Sequence, residues 1–294
     1  MNGTPAAEVN IDEALIRALL REQHPDLAHL PCVPLDAGWD NVMVRLGDSL
    51  CLRLPRRAAA AALIEHEQAW LPGLSKTLPL PTPVPLRVGQ PGCGYPWRWS
   101  IVPWLAGDAA DLAPPGAAEA TRFGEFLKAL HRPAPAAAPS NPVRGVPLQQ
   151  APRIEERMQR LAAMSSSVVT SDIHRAWQAA LQAPIDVGPT WLHGDLHARN
   201  VLVKEGTLTG IIDWGDITAG DRATDLAAIW MLFADPHARS RALNSSGSVT
   251  QATYLRAKGW AIRFGVVLLD SGLVDYPRHA AMGEKTLRRV VEGP

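Results

Sequence analysis

The chain has 294 residues, 47% of them hydrophobic, with 29 Lys+Arg balanced by 29 Asp+Glu. That length holds one large domain or two ordinary ones with ample core, and a formal net charge of +0 excludes the basic excess of a nucleic-acid binder. Three widely spaced cysteines (Cys32, Cys51, Cys93) with no C-x-x-C pair exclude a disulfide framework and a structural zinc site, which predicts a cytoplasmic protein.

The opening residues have no basic stretch leading into an apolar one, so no signal peptide is expected. Asn10 followed by Glu13 reads as a capping box for a helix with Ile11, Leu15, Ile16, Leu19 and Leu20 on one face. "VMVRLGDSLCLRLP" predicts two strands around a Gly47-Asp48 turn. "AAAAALIEHEQAWLPGL" predicts a helix stopped by Pro72 and Gly73, and "LPLPTPVPLRVGQPGCGYPW" predicts extended edge segments. "RWSIVPWL" reads as a buried strand broken by Pro103, and "HRPAPAAAPSNPVRGVP" as a Pro/Ala-rich connector with little tendency to order. Beyond it helices are expected near 117–131, 149–163, 170–182, 222–233, 250–269 and 280–291, with Trp177, Trp230 and Trp260 in the core. The longest apolar run, Leu226 to Ala234, falls short of the roughly 20 residues that cross a bilayer, so no membrane partner is expected. The pattern is an α+β chain, with a strand-rich region over residues 1–102 and a helical one carrying a polar hairpin over residues 103–294.

The chemistry concentrates in that hairpin, "TWLHGDLHARNVLVKEGTLTGIIDWGD". His193, Asp195 and Asn200 fit H-x-D-x-x-x-x-N, and Asp213 ends the next strand. Moving a phosphoryl group needs magnesium, bound through a few oxygen ligands that a carboxylate and a side-chain amide supply. A further carboxylate must orient the attacking hydroxyl and accept its proton. Asp195 fits the base, and Asn200 with Asp213 fits the metal ligands.

"WLHGDLHARNVLV…LTGIIDWGDITAGDRATDLA" resembles the aminoglycoside phosphotransferase family of antibiotic kinases, and the resemblance runs from about Asp36 to Phe264. It implies a two-lobed protein-kinase-like fold with an antiparallel-sheet N-lobe that binds ATP or GTP. It also implies magnesium as cofactor and a small-molecule hydroxyl as acceptor, on a monomer or dimer. Within it Asp195 matches the catalytic aspartate, Asn200 and Asp213 the magnesium ligands, and Asp225 a buried aspartate bracing the catalytic loop. Arg53 stands where a strand cation holds donor phosphates and Glu67 where a helical carboxylate holds that cation, although the usual cation is lysine. Backbone amides from Gly38 to Asn41 are placed to meet phosphate, and backbone groups of Val102 and Trp104 to meet the purine.

The expected acceptor is an aminoglycoside; a macrolide, a tuberactinomycin-type peptide or an amino alcohol is the alternative, and a non-catalytic nucleotide-binding regulator the rival from another class. A cationic acceptor calls for carboxylates beside Asp195, for which Asp216, Asp221, Asp270 and Asp275 are the candidates, Asp216 first. Between Trp191 and Pro236 there are 7 acidic and 3 basic residues, so global neutrality conceals a local acidic stretch.

Overall fold

The computed structural model describes residues 6–37, 40–151, 153–164 and 168–293, and of residues 36 and 37 it describes the backbone. The chain divides into two compact units, one of residues 2–76 and 81–106, the other of residues 77–80 and 107–294.

In the first unit α1 (Glu13–Gln23) is capped by Asp12, whose carboxylate accepts the Leu15 N–H at 2.9 Å. The capping box expected of Asn10 is therefore displaced. Asp12 stands directly before the helix in extended conformation, and Asn10 only donates to it. Strands β1 (Cys32–Ala37), β2 (Asn41–Leu46) and β3 (Leu50–Pro55) follow, then α2 (Ala58–Leu74), β4 (Arg87–Gly89) and β5 (Trp99–Pro103). They make an antiparallel sheet in the order β1-β2-β3-β5-β4. The β2–β3 hairpin turns at Gly47, whose φ of +58° suits glycine, and pairs Leu46 with Leu50. Strand alternation then buries Val44, Leu46, Leu52 and Leu54 with Leu19, Leu20, Trp99 and Ile101. Pro72 does not stop α2. It lies inside the last turn, where it forgoes one hydrogen bond, and the helix ends at Leu74.

The second unit holds β6 (Asp108–Ala109), α3 (Ala120–Leu130), α4 (Ile154–Ala162), α5 (Ser171–Gln182), β7 (Thr190–Leu192), β8 (Val201–Lys204), β9 (Thr207–Ile211) and β10 (Thr218–Gly220). Helices α6 (Ala223–Leu226), α7 (Ala228–Leu232), α8 (Pro236–Ser245), α9 (Gln251–Asp275) and α10 (Pro277–Val291) complete it. α9 is the spine, packed on α10, α5, α4 and α6. Gly272 permits its approach to α10, since a Cβ there would lie 2.2 Å from the Ala280 nitrogen. Trp177, Trp230 and Trp260 are all buried. The β8–β9 hairpin turns through Glu205 and Gly206, both at positive φ, and β7 pairs with β10.

The connector departs most from expectation. Pro139 O accepts from Ala219 N and from Thr218 Oγ1, both at 2.9 Å, and Gly145 O accepts from Asp221 N at 2.9 Å. Prolines remove amide donors but keep carbonyls, so the stretch is ordered as a rail of acceptors along β10. The mixed α+β composition is as the sequence implies. Among the described residues no helix is long and apolar enough to cross a membrane.

Candidate active site

In the second unit β7 ends at Leu192 and the chain turns sharply through Gly194, at φ +86°. A Cβ on Gly194 would fall 2.4 Å from Asp216 O, so this turn requires glycine. Asp225, fully buried, accepts the His193 amide at 2.7 Å and the Gly194 amide at 3.0 Å, and so braces the loop from beneath. Burial lowers the His193 pKa against the pull of Asp225, which keeps the ring neutral. A neutral ring suits its two bonds, with Nε2–H donating to Ile212 O at 2.9 Å and Nδ1 accepting from Asp195 N at 3.3 Å.

The Asp195 carboxylate faces Arg144 Nη2 at 2.6 Å and His197 Nε2 at 3.5 Å. Burial pushes its pKa up, but the charge and hydrogen bond of Arg144, with His197 beside it, outweigh that and hold it below the usual carboxylate range. Asn200 Nδ2 donates to Asp195 O at 2.9 Å, and Ile212 N donates to Asn200 O at 2.9 Å. The register that pairs Val201 with Ile211 thus carries Asn200 to Ile212, the residue before Asp213. Asp213 is exposed and left-handed, at φ +62°. Asp216 accepts from Asn141 Nδ2 at 2.7 Å, and burial together with the charge of Asp195 pushes its pKa up to about 6.

Among the described residues no three His, Cys, Asp or Glu side chains gather into a metal cluster. The Asn200–Asp213 pair suits a different kind of site. Magnesium takes one or two protein oxygens and completes its shell from substrate phosphates and water. With Asn200 Nδ2 committed to Asp195 O, its Oδ1 is the atom left for a cation.

In the first unit Arg53, mid-strand in β3, and Glu67 on α2 are both buried and meet at 2.5 Å. Asn41 opens β2 with its Oδ1 buried and without a hydrogen-bond partner among the described residues. Gly38 and Trp39, part of the expected phosphate loop, lie outside the described residues. The purine expectation needs correcting at Trp104, whose N–H donates to Ser49 O at 2.7 Å. Antiparallel alternation repeats that pairing two residues earlier, at Val102 and Cys51, so these amides serve the sheet. The Trp104 ring carries Arg45, whose Cζ lies 4.2 Å from its centroid.

The acceptor carboxylates are corrected more strongly. Asp270 is held by Arg157 at 2.7 Å and Arg160 at 2.8 Å, which ties α9 to α4. Asp221 is buried in a two-pronged pair with Arg256, at 2.7 and 3.1 Å. Asp275 is exposed at the end of α9. Of the four candidates, Asp216 is the one on which the charge of Asp195 acts. Conversely, sequence reasoning passes over Asn141, Arg144 and Arg263. The signal for the first two is an Asx turn in "SNPVRG", in which Asn141 Oδ1 accepts the amides of Val143 and Arg144. For Arg263 it is a single cation within the apolar run "WAIRFGVVLL".

Residues 31–260 match the sequence pattern of the phosphotransferase enzyme family. No curated protein matches the chain in sequence. Solved structures match it in fold. The GDP complex of wild-type aminoglycoside 2′-phosphotransferase-IIIa superposes with a TM-score of 0.67 at 18% identity, over 96% of this chain and 99% of that one. A macrolide 2′-phosphotransferase type I gives 0.60 at 22% identity, over 95% and 97%. The apoenzyme of macrolide 2′-phosphotransferase MphH from Brachybacterium faecium gives 0.58 at 18% identity, over 93% and 97%.

Proposed function

The chain belongs to the phosphotransferase enzyme family, and from that premise we propose that it is a small-molecule kinase moving the γ-phosphate of ATP or GTP to a hydroxyl of an antibiotic-like acceptor. The observation that carries this reading is the loop from His193 to Asn200, braced by Asp225 and closed through Ile212 onto Asp213. That arrangement holds a carboxylate, an amide and a second carboxylate on rigid supports, as phosphoryl transfer requires. A regulator that only binds nucleotide has no use for all three.

Asp195, ionised at neutral pH, receives the acceptor hydroxyl and orients its oxygen toward the γ-phosphorus. The new bond joins acceptor oxygen to phosphorus, the bond from phosphorus to the bridging oxygen breaks, and the diphosphate leaves with that electron pair. The hydroxyl proton passes to Asp195. Asn200 and Asp213 would hold magnesium, which when bound would neutralise charge on the phosphate oxygens. Arg53, fixed by Glu67, holds donor phosphates, with Asn41 beside the same strand pair. The Val102 and Trp104 amides serve the sheet, so the purine edge is met by other groups of this strand end. Likeness in fold to aminoglycoside and macrolide phosphotransferases supports an antibiotic acceptor. Yet a polycationic aminoglycoside calls for several carboxylates near Asp195 beyond the metal ligands, and of the four candidates Asp216 is the one on which the charge of Asp195 acts.

The test is magnesium-dependent release of nucleoside diphosphate, with ATP and with GTP, across aminoglycosides, macrolides, cyclic peptides, amino alcohols and hydroxy acids. Acceptor-dependent release with formation of a phosphate monoester is expected. Release independent of every acceptor would overturn the assignment. Asp213→Ala should weaken nucleotide binding in magnesium and leave it unchanged in EDTA, as calorimetry would read.

A further inference from the structure

Asp195 is bordered by more positive charge than a receptor for a polycation should carry. Arg144, from the connector, bonds it at 2.6 Å, and the Arg144 guanidinium lies over the Phe264 ring, 5.0 Å from its centroid. One residue earlier on α9, Arg263 lies over the Trp260 ring at 4.5 Å. The two rings touch, with centroids 5.9 Å apart, so both guanidiniums rest on one aromatic pair. Arg263 is 6% exposed, its Nη1 is buried, and it has neither a hydrogen bond nor a carboxylate partner among the described residues. The acids on and against α9 are engaged elsewhere, Asp270 by Arg157 and Arg160 and Asp221 by Arg256, and Asp195 is engaged by Arg144.

A buried guanidinium with no counter-charge is costly, and stacking on an aromatic face offsets only part of that cost. Five donors in a planar fork are built to meet carboxylate or phosphate oxygens. Burial and the neighbouring Arg144 depress the Arg263 pKa to about 10, so it remains charged at neutral pH and its donors still await an acceptor. An ammonium-bearing acceptor would be repelled here, whereas an anionic one would complete the cluster.

We propose that Arg263 and Arg144, seated on the Trp260–Phe264 pair beside Asp195, form a subsite for an anionic group of the acceptor, so that the substrate is an alcohol that also carries a carboxylate. The place of transfer rests on the kinase reading above, while the anion subsite rests on Arg263 itself. The same guanidiniums suit a phosphoryl group too, and the donor's γ-phosphate is the other source of such an anion.

The probes are hydroxy acids of three to six carbons, each beside its primary amide, with kanamycin as the polycationic control. Wild-type protein should use at least one acid with kcat/KM about tenfold or more above its amide. Arg263→Met should raise the acid's KM about tenfold or more, leaving the amide's kcat/KM and the nucleotide's KM within about twofold. Arg263→Lys, which keeps charge but loses the fork, should fall between them. Equal use of acid and amide, or preference for kanamycin unaffected by Arg263→Met, would overturn the proposal. A raised nucleotide KM with an unchanged acid KM would assign the arginines to the donor and equally overturn it. Thermal shift with malonate separates the two readings. If no acceptor is phosphorylated the kinase reading fails, yet malonate should still stabilise wild type and not Arg263→Met. Equal stabilisation of both proteins would refute the anion subsite alone.

Discussion

Arg256 and Arg263 lie seven residues apart on α9, both almost fully buried, in opposite surroundings. Arg256 spends its donors on Asp221, on Asp186, on the Thr253 hydroxyl and on the Pro184 carbonyl. Those partners outweigh burial and raise its pKa. Arg263 has an aromatic face and, among the described residues, nothing that accepts a hydrogen bond, and burial lowers its pKa. Only the first charge is satisfied by the fold itself. The contrast separates charges that build this unit from charges that wait for a ligand, which sequence position alone does not distinguish.

The largest effect should come from breaking the closed cluster. Arg256→Met leaves the Asp221 carboxylate buried without its partner, and unfolding in urea should show a loss of about 3–5 kcal/mol. Arg263→Met removes an unsatisfied ion, so its stability should stay within about 1 kcal/mol of wild type or rise. Equal losses would dissolve the comparison.

Asp216 sharpens it by pH. Its folded pKa, about 6, lies above the ordinary aspartate value of 3.8, so at neutral pH its ionised form destabilises the fold. Stability from this group is full below about pH 4 and is lost as pH rises through about 6. Asp216→Asn keeps an acceptor for Asn141, and at pH 8 it should stabilise the protein. The full shift corresponds to about 3 kcal/mol, and partial exposure reduces the expected gain to about 1–2 kcal/mol. The gain should fade on acidification through pH 6 and vanish near pH 4; a gain constant with pH would show that another cause is at work.

The smallest expected effect is on the connector. Asn141→Ala removes the Asx turn that presents Arg144 and should cost about 1 kcal/mol, read as a lowered Tm. A larger fractional loss of kcat than of stability is expected, since Arg144 bonds Asp195.

Much of this was legible in the sequence, and for a physical reason. The Gly47 turn, the β8–β9 hairpin and the loop holding His193, Asp195 and Asn200 are local, so spacing and turn chemistry specify them. The Trp177, Trp230 and Trp260 core follows from helical period. What escaped is long-range or compositionally disguised. Asp270 reads as a free carboxylate until α4 brings Arg157 and Arg160 to it from more than a hundred residues away. Helix α8 starts at Asp235 and Pro236, a cap and a first-turn proline whose signal is plain only once sought. The connector's prolines suggest disorder, although the Pro139 carbonyl accepts from Thr218 and Ala219 of β10. The acidic stretch from Trp191 to Pro236 likewise suggested a cationic acceptor. In three dimensions Asp221 and Asp225 are buried within the fold, and the charge added beside Asp195 is Arg144, from outside that stretch.

The most direct measurement compares wild type with Asp195→Asn, following transfer to the best acceptor by ³¹P NMR and nucleotide affinity by calorimetry. If Asp195 receives the hydroxyl, kcat should fall by about 10²–10⁴-fold while nucleotide Kd stays within about twofold. Undiminished turnover in that variant would contradict the assignment of Asp195 and with it the active site described for this chain.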